Sequence, residues 1–384
     1  MARRSSADLP LHSGSAPRWL FDRMVDLSGA ITEVILEDAG PDELLRRLAD
    51  PYWFQAFGCV LGFDWHSSGV TTTTMGALKT AITPEEHGLA VVGGKGATAR
   101  ETPAELESTA LPLSGGTRSD LQRTSRMSAA VDNGCVQDSY TLYHHTMVVT
   151  ERGDWAVVQQ GMNDSTARRY HWLSDTVASY VDEPHAAICA QDRRSDPLDL
   201  IAEGSAETRS ISVDLVQDDP AHLKRELRGQ RSLDEFVAGA DGCTRRQGWT
   251  DIDRATLEMP AHHELRKSDL TDRALDQLQT AYEHQPDSYE ALVDIEGIGK
   301  GSLRALALIA ELIYDAGQSR EDPAKYAYAH GGKDGTPYPV HRDRYDQSIE
   351  YLRELVAGSE LDRDAKQTSL RRLAKLSDHE HTDG

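Results

Sequence analysis

Tyr140-Thr141-Leu142-Tyr143-His144-His145-Thr146-Met147-Val148-Val149-Thr150, then Glu151-Arg152-Gly153-Asp154, then Trp155-Ala156-Val157-Val158-Gln159-Gln160: these three pieces decide how the first half of the chain folds. The outer two are rich in β-branched and aromatic residues, and the middle one is a polar break that carries a glycine. They read as two antiparallel strands joined by a hairpin. Working outward, Trp19 to Glu37 repeats apolar residues at helical spacing, with Leu20, Met24, Leu27 and Ile31 on one face. Pro41 to Leu48 reads as a second helix stopped by Pro51, and Thr73 to Ile82 as a third. Cys59 to Trp65 and Leu89 to Val92 read as short buried strands. Thr102-Pro103-Ala104-Glu105 has the form of a capping-box helix start. Mixed helix and strand patterns predict an α/β or α+β domain over residues 1–196.

From Pro197 the strand patterns give way to helical ones. Helices are expected from Pro197 to Leu215, Pro220 to Arg228, Ser232 to Ala238, Leu270 to His284, Ser288 to Ile295, Ser302 to Tyr314 and Arg344 to Val356. That predicts an all-α domain over 197–357, followed by a charged helical tail, partly disordered, over 358–384. No internal repeat is visible.

With 384 residues, of which 39% are hydrophobic, the chain can build two or three packed cores. No apolar run approaches the ~20 residues of a membrane span. The segment Met1 to Asp8 is polar and lacks the apolar core of a secretion signal. Cys59, Cys135, Cys189 and Cys243 are scattered, with no CxxC pair, which excludes a zinc ribbon and a redox dithiol. A cytoplasmic protein with reduced thiols is the expectation. The net charge is −22. So acidic, Lys-poor and Arg-rich a surface suits a halophile's salt-loaded cytoplasm, where counterion release contributes little to nucleic-acid binding.

The sharpest motif is Leu292-Val293-Asp294-Ile295-Glu296-Gly297-Ile298-Gly299-Lys300-Gly301-Ser302-Leu303. A short helix runs into Gly-Ile-Gly and a long apolar helix follows, as in a helix-hairpin-helix. Such a turn leaves backbone N–H groups bare at a helix N-terminus, where they can hold a phosphate oxygen without reading sequence. Gly297, Ile298, Gly299, Lys300, Gly301 and Arg304 are the candidate DNA-backbone contacts. Arg168-Arg169-Tyr170-His171-Trp172 interleaves cations with aromatics, so Arg168 and Arg169 join that group. The Gly93-Gly94-Lys95-Gly96 loop lacks the spacing of a nucleotide-binding P-loop.

Several stretches together resemble one prokaryotic family. They are Ala7-Asp8-Leu9-Pro10-Leu11-His12, Pro17-Arg18-Trp19-Leu20-Phe21, Gly62-Phe63-Asp64-Trp65-His66-Ser67-Ser68-Gly69, Tyr143-His144-His145-Thr146, Gln159-Gln160-Gly161-Met162-Asn163 and Gly331-Gly332-Lys333-Asp334-Gly335. The family they resemble is the one known as domain of unknown function 763, found in archaea and some bacteria. The C-terminal half, with its hairpin followed by Pro337-Tyr338-Pro339-Val340-His341, also resembles the helix-hairpin-helix DNA glycosylases. Those enzymes carry a Lys at the start of the second hairpin helix and an Asp after a Pro-Val. Here Ser302 or Leu303 and His341 stand near those places, so the resemblance implies a DNA-binding scaffold without the glycosylase chemistry.

Chemistry is expected in the first half. Asp64 and His66 share a strand face, Asp132 and Asp138 flank the entry to the hairpin, and His145 is paired with Gln160 across it. His144 and His145 point to opposite sides. Asp, His and Gln converging at strand ends would suit a hard divalent ion, Mg2+ or Mn2+. The expected metal ligands are Asp64, His66, Asp132 and His145. The expected catalytic set is Asp132, Asp138, His145 and Gln160, with Lys300 on the hairpin. Together these predict a DNA-processing or repair protein, with a metal-dependent nuclease or phosphoesterase site and a phosphate-binding hairpin. A non-catalytic DNA-structure-binding adaptor and a diverged DNA glycosylase are the alternatives.

Overall fold

The computed structural model describes residues 18–62, 69–163, 166–190, 194, 196–218, 272–325 and 342–359, together with 363, 366–367 and 369–371. Asp64 and His66, the helices expected within 220–238, and the Gly331–Gly335 and Pro337–His341 motifs lie outside the described residues. The chain divides into two compact units, one of 1–201 with 320–384 and one of 202–319.

The first unit opens with four helices: α1 (Arg18–Ala39), α2 (Pro41–Ala49), α3 (Pro51–Leu61) and α4 (Gly69–Ala81). Prolines open α2 and α3, where a missing N–H costs nothing. Asp50 caps α3 by accepting from the amides of Tyr52 and Trp53. All eleven residues of α3 are buried. That corrects the expected strand at Cys59: a short apolar run buried on all sides has no amphipathic period, and Cys59 to Leu61 are the last turn of this helix. Short helices α5 (Pro84–His87), α6 (Ala97–Arg100) and α7 (Thr102–Ser108) surround strand β1 (Leu89–Lys95), and α8 (Arg118–Ala130) follows. The capping box forms at Thr117 and Asp120, before α8, and not at Thr102. Glu105 is taken instead by Lys79 and by the amide of Gly93.

Strands β2 (Val136–Gln137), β3 (Thr141–Thr150), β4 (Trp155–Met162), β5 (Ala167–Leu173), β6 (Ala187–Cys189) and β7 (Leu198–Asp199) complete the unit. Five of the seven form one antiparallel sheet in the order β1-β3-β4-β5-β6, and β2 pairs with β7. The β3–β4 hairpin closes at Glu151–Asp154, with Thr150 donating to Asp154. Its register places His145 opposite Gln159 and His144 opposite Gln160. The expected His145–Gln160 pairing is off by one residue. The irregularity in the hairpin lies between Leu142 and His144, beyond His145 from the turn, and leaves the inner register unshifted.

Both faces of the sheet are covered. One carries Val91, Val148, Ala156, Val158 and Leu173, which pack with Trp53, Phe54, Phe57, Met24 and Ile31 of the helices. Fully burying each such Val, Leu, Ile, Phe or Met side chain is worth roughly 1.5–3 kcal/mol. Leu352, Leu355 and Val356 of a late helix, Arg342–Gly358, join the same core. The other face holds His145, Gln159, Tyr170 and Trp172, and every residue of β5 is buried.

Within the second unit are α9 (Ala206–Gln217), α10 (Asp272–His284), α11 (Tyr289–Asp294) and α12 (Lys300–Tyr314). Its described residues are helical apart from loops and a 3-10 turn at Glu203–Ser205. Leu303, Leu306, Ile309 and Ala310 of α12 are buried, as are Leu278, Ala281 and Leu292. Among the described residues of the whole chain, no helix is long and apolar enough to cross a membrane.

Candidate functional sites in the sheet and at the α11–α12 turn

A run of hydrogen bonds crosses the second face of the sheet. It starts on α8, where Ser125 Oγ lies 2.9 Å from His145 Nε2. His145 Nδ1 lies 2.9 Å from Gln159 Oε1. Gln159 Nε2 donates to Asp132 Oδ2 at 2.6 Å, and Trp172 Nε1 donates to the same oxygen at 3.0 Å. His185 Nε2 bonds the other oxygen, Oδ1. Asp132 sits on a π-helical turn, Val131–Cys135, that continues α8. The wider turn aims its carboxylate at the sheet.

Directionality follows from the amide. Gln159 must present Nε2 to the carboxylate, so its Oε1 faces His145 and can only accept. His145 therefore carries its proton on Nδ1 and a lone pair on Nε2, and the Ser125 hydroxyl donates to that lone pair. Burial holds His145 below the ordinary imidazole range. Burial also raises the Asp132 carboxyl, against the lowering effect of His185 and Trp172.

Next to this run is an ion cluster. Arg168 Nη1 donates to Asp138 Oδ2 at 2.8 Å and Nη2 to Asp322 Oδ2 at 2.7 Å. Tyr170 donates to Asp138 at 2.9 Å, and the amides of Arg194 and Ala324 bind Asp322. Burial alone would lower the Arg168 pKa, but Asp138, Tyr170 and Asp322 outweigh it and hold it above the ordinary value. On the opposite face Arg169 Nε donates to His171 Nε2, and Nη1 donates to Gln55 Oε1. His171 donates from Nδ1 to the carbonyl of Leu48. Arg169 also reaches Cys189, whose thiol burial pushes up to about 11.

These positions correct two expectations. Arg168 and Arg169 are both 0% exposed, so neither guanidinium is placed to meet a DNA phosphate. Asp132, Asp138, His145 and Gln160 are each 5% exposed or less and do not line an open cleft. Gln160 belongs to the opposite face, where its amide donates to the Tyr143 hydroxyl. Burial, with the charges of His145 and Lys95 adding to it, lowers His144 on that face to about 3. Among the described residues, no group of three or more His, Cys, Asp or Glu could hold a metal ion. Sequence reasoning missed Ser125, Gln159, His185 and Asp322. Gln159 is the neighbour of Gln160, the expected partner of His145, and the other three stand in no motif.

The α11–α12 turn is built differently. Ile298 donates back to the carbonyl of Ile295, and Gly297 takes a φ of 95°, the left-handed region that glycine tolerates. Gly299 is the N-cap of the 15-residue α12, with no side-chain cap and no acidic residue in the first turn. A Cβ at Gly297, Gly299 or Gly301 would meet nothing within 4 Å among the described residues. Lys300 and Gly301 are exposed, Ile298 and Arg304 are half-buried, and Ser302 and Leu303 are buried.

No curated protein and no solved structure matches the chain. A family model described as protein of unknown function (DUF763) matches residues 5–340, most of the chain's length, and the chain therefore belongs to the DUF763 family.

Proposed function

We propose that this protein binds DNA through the phosphate backbone, at the α11–α12 turn, with little sequence preference. The observation that carries the reading is the uncapped, open start of α12. A helix N-terminus bears a partial positive charge of about half a unit, with its first amides unsatisfied by the helix. Among the described residues no carboxylate or hydroxyl of the first turn fills that role, and no side chain stands within 4 Å of a Cβ built on the glycines. Lys300 adds a cation beside them. A phosphate oxygen fits such a place, and a base edge has nothing there to distinguish it.

A metal-dependent phosphodiester cleavage shared by Asp132, Asp138, His145 and Gln160 draws no support from their positions, since the four do not converge: Gln160 lies on the face of the sheet opposite His145, and Asp138 is taken by Arg168. The reading that fits best is a DNA-backbone-binding protein whose turn supplies the grip.

The test is fluorescence anisotropy with the full chain and two labelled duplexes of unrelated sequence. Both should bind alike, and Gly299→Val should weaken both by about tenfold or more, since its Cβ would stand in the path of the phosphate. Equal affinity of the folded variant and the parent for both duplexes would refute the reading.

A further inference from the structure

The hydrogen-bond run that begins at Ser125 has an order that a structural polar cluster does not need. A hydroxyl donates to a neutral imidazole, an amide oxygen fixes the far side of that imidazole, and a carboxylate fixes the amide. That is the arrangement of a nucleophile, a general base and its orienting groups. We propose that Ser125 is a nucleophile, with His145 as its base and Gln159 and Asp132 as positioning residues, in a covered site for an uncharged acyl ester.

The ligand class follows from the surroundings. The carboxylate of Asp132 and the rings of Trp155, Trp172 and Tyr180 gather around the run, with Trp155 and Tyr180 stacked and Trp172 against both Tyr180 and His185. An anionic, aromatic setting disfavours a phosphate and accepts an apolar acyl group.

Beside the run lies the segment of residues 177–186, which contains neither helix nor strand. Its Tyr180 hydroxyl lies 2.6 Å from Thr124 Oγ1, on the residue before Ser125, and its His185 bonds Asp132. Glu183 takes a φ of 43° there, and its amide donates to the carbonyl of Ile201. Two side chains thus tie the segment to α8 and to Asp132, and their release is the proposed route to the serine.

The chemistry balances without a cofactor. Ser125 Oγ forms a bond to the acyl carbon while its proton passes to His145 Nε2. The leaving alcohol departs with that proton. Water then attacks the acyl-serine, gives its proton to His145, and Ser125 takes it back as the acid is released.

The experiment uses the full chain with diisopropyl fluorophosphate, a small uncharged reagent that forms a serine–phosphorus bond and expels fluoride. Peptide mass spectrometry reads the adduct, and circular dichroism confirms folding of each variant. An adduct on Ser125 is expected, forming about tenfold faster in His185→Ala and at least about a hundredfold slower in His145→Gln. Adduct on Ser125 in His185→Ala alone would equally support the site, with residues 177–186 as its gate. No Ser125 adduct in either folded protein, or a rate unchanged in His145→Gln, would overturn the proposal. Gln159→Glu separates positioning from packing: it keeps the size of the side chain and can accept from Nδ1 while giving up the donation to Asp132, so labelling should persist at a reduced rate, while Gln159→Leu should lose it. Equal labelling in these two variants would overturn the role given to Gln159.

Discussion

Arg168, Asp138 and Asp322 lie where water does not reach, and the guanidinium meets a carboxylate on either side. Gly297, Gly299 and Gly301 lie where, among the described residues, a Cβ would touch nothing, and the helix that follows has no side-chain cap. Both regions concentrate polar groups. In the ion cluster the guanidinium and the two carboxylates answer one another, so they specify the fold and offer little to a ligand. At the turn no side chain caps the start of the helix among the described residues, and a ligand can take that place. The contrast teaches that charged residues in a sequence do not by themselves mark a binding surface: the two arginines are core, and the three glycines are surface.

The largest effect should come from breaking the sheet's side of this contrast. Arg168→Met would leave Asp138 and Asp322 buried without their cation, and should cost about 3–5 kcal/mol in urea unfolding. A loss below about 1 kcal/mol would show that the cluster is wetter than its geometry implies.

Acid tests the same region. His144, His145 and His171 are held neutral by burial, so their folded pKa values lie below the unfolded value near 6.5, and His144 is at about 3. Between those limits the unfolded chain binds more protons than the native one. Stability is fully present above about pH 6.5 and falls as the pH drops toward 3, by about 1.4 kcal/mol per pH unit for each histidine still neutral in the fold. Asp132 works in the opposite sense, because its raised carboxyl favours the fold at low pH. Unfolding midpoints measured from pH 7 to pH 4 should fall steadily, and a flat profile would mean that these rings protonate in place.

The turn should give smaller numbers and a different pattern. Gly297→Val forces a β-branched residue into a φ of 95° and should cost about 1–3 kcal/mol. Gly299→Val should change stability by only a few tenths, since φ there is −152°, extended backbone that any residue adopts. If the two variants lose equal stability by thermal unfolding, the turn in solution differs from the one described. Smallest of all, Lys300→Gln should reduce the slope of log affinity against log salt by about one unit or less while sparing the fold.

The β3–β4 hairpin was legible because its strands are rich in branched and aromatic residues and its break is polar. Its register was not, because a one-residue difference leaves the pattern of residue types almost unchanged and exchanges Gln159 for Gln160. Strand β5 was missed for a related reason. A strand covered on both faces shows no alternation of polar and apolar residues, so Arg168-Arg169-Tyr170-His171-Trp172 looks like a solvated basic stretch. The α11–α12 turn was legible from Gly297-Ile298-Gly299 alone, since its geometry is set locally. The Ser125 run was not, because its members come from α8, the π-helical turn, two strands and a loop, and only the sheet brings them together.

The π-helical turn at Val131–Cys135 has a consequence for how this chain can vary. A π turn is an α-helix holding one residue more than its hydrogen-bond ladder requires. Deleting a residue within it would let α8 wind on regularly, and everything after the deletion would swing by about 100° about the helix axis. Asp132 would then leave Gln159, Trp172 and His185 at one stroke, with no side chain chemically altered. Most surface loops tolerate a change in length more readily than a change in charge. Here the number of residues between Ser125 and Val136 itself sets where Asp132 meets Gln159, Trp172 and His185.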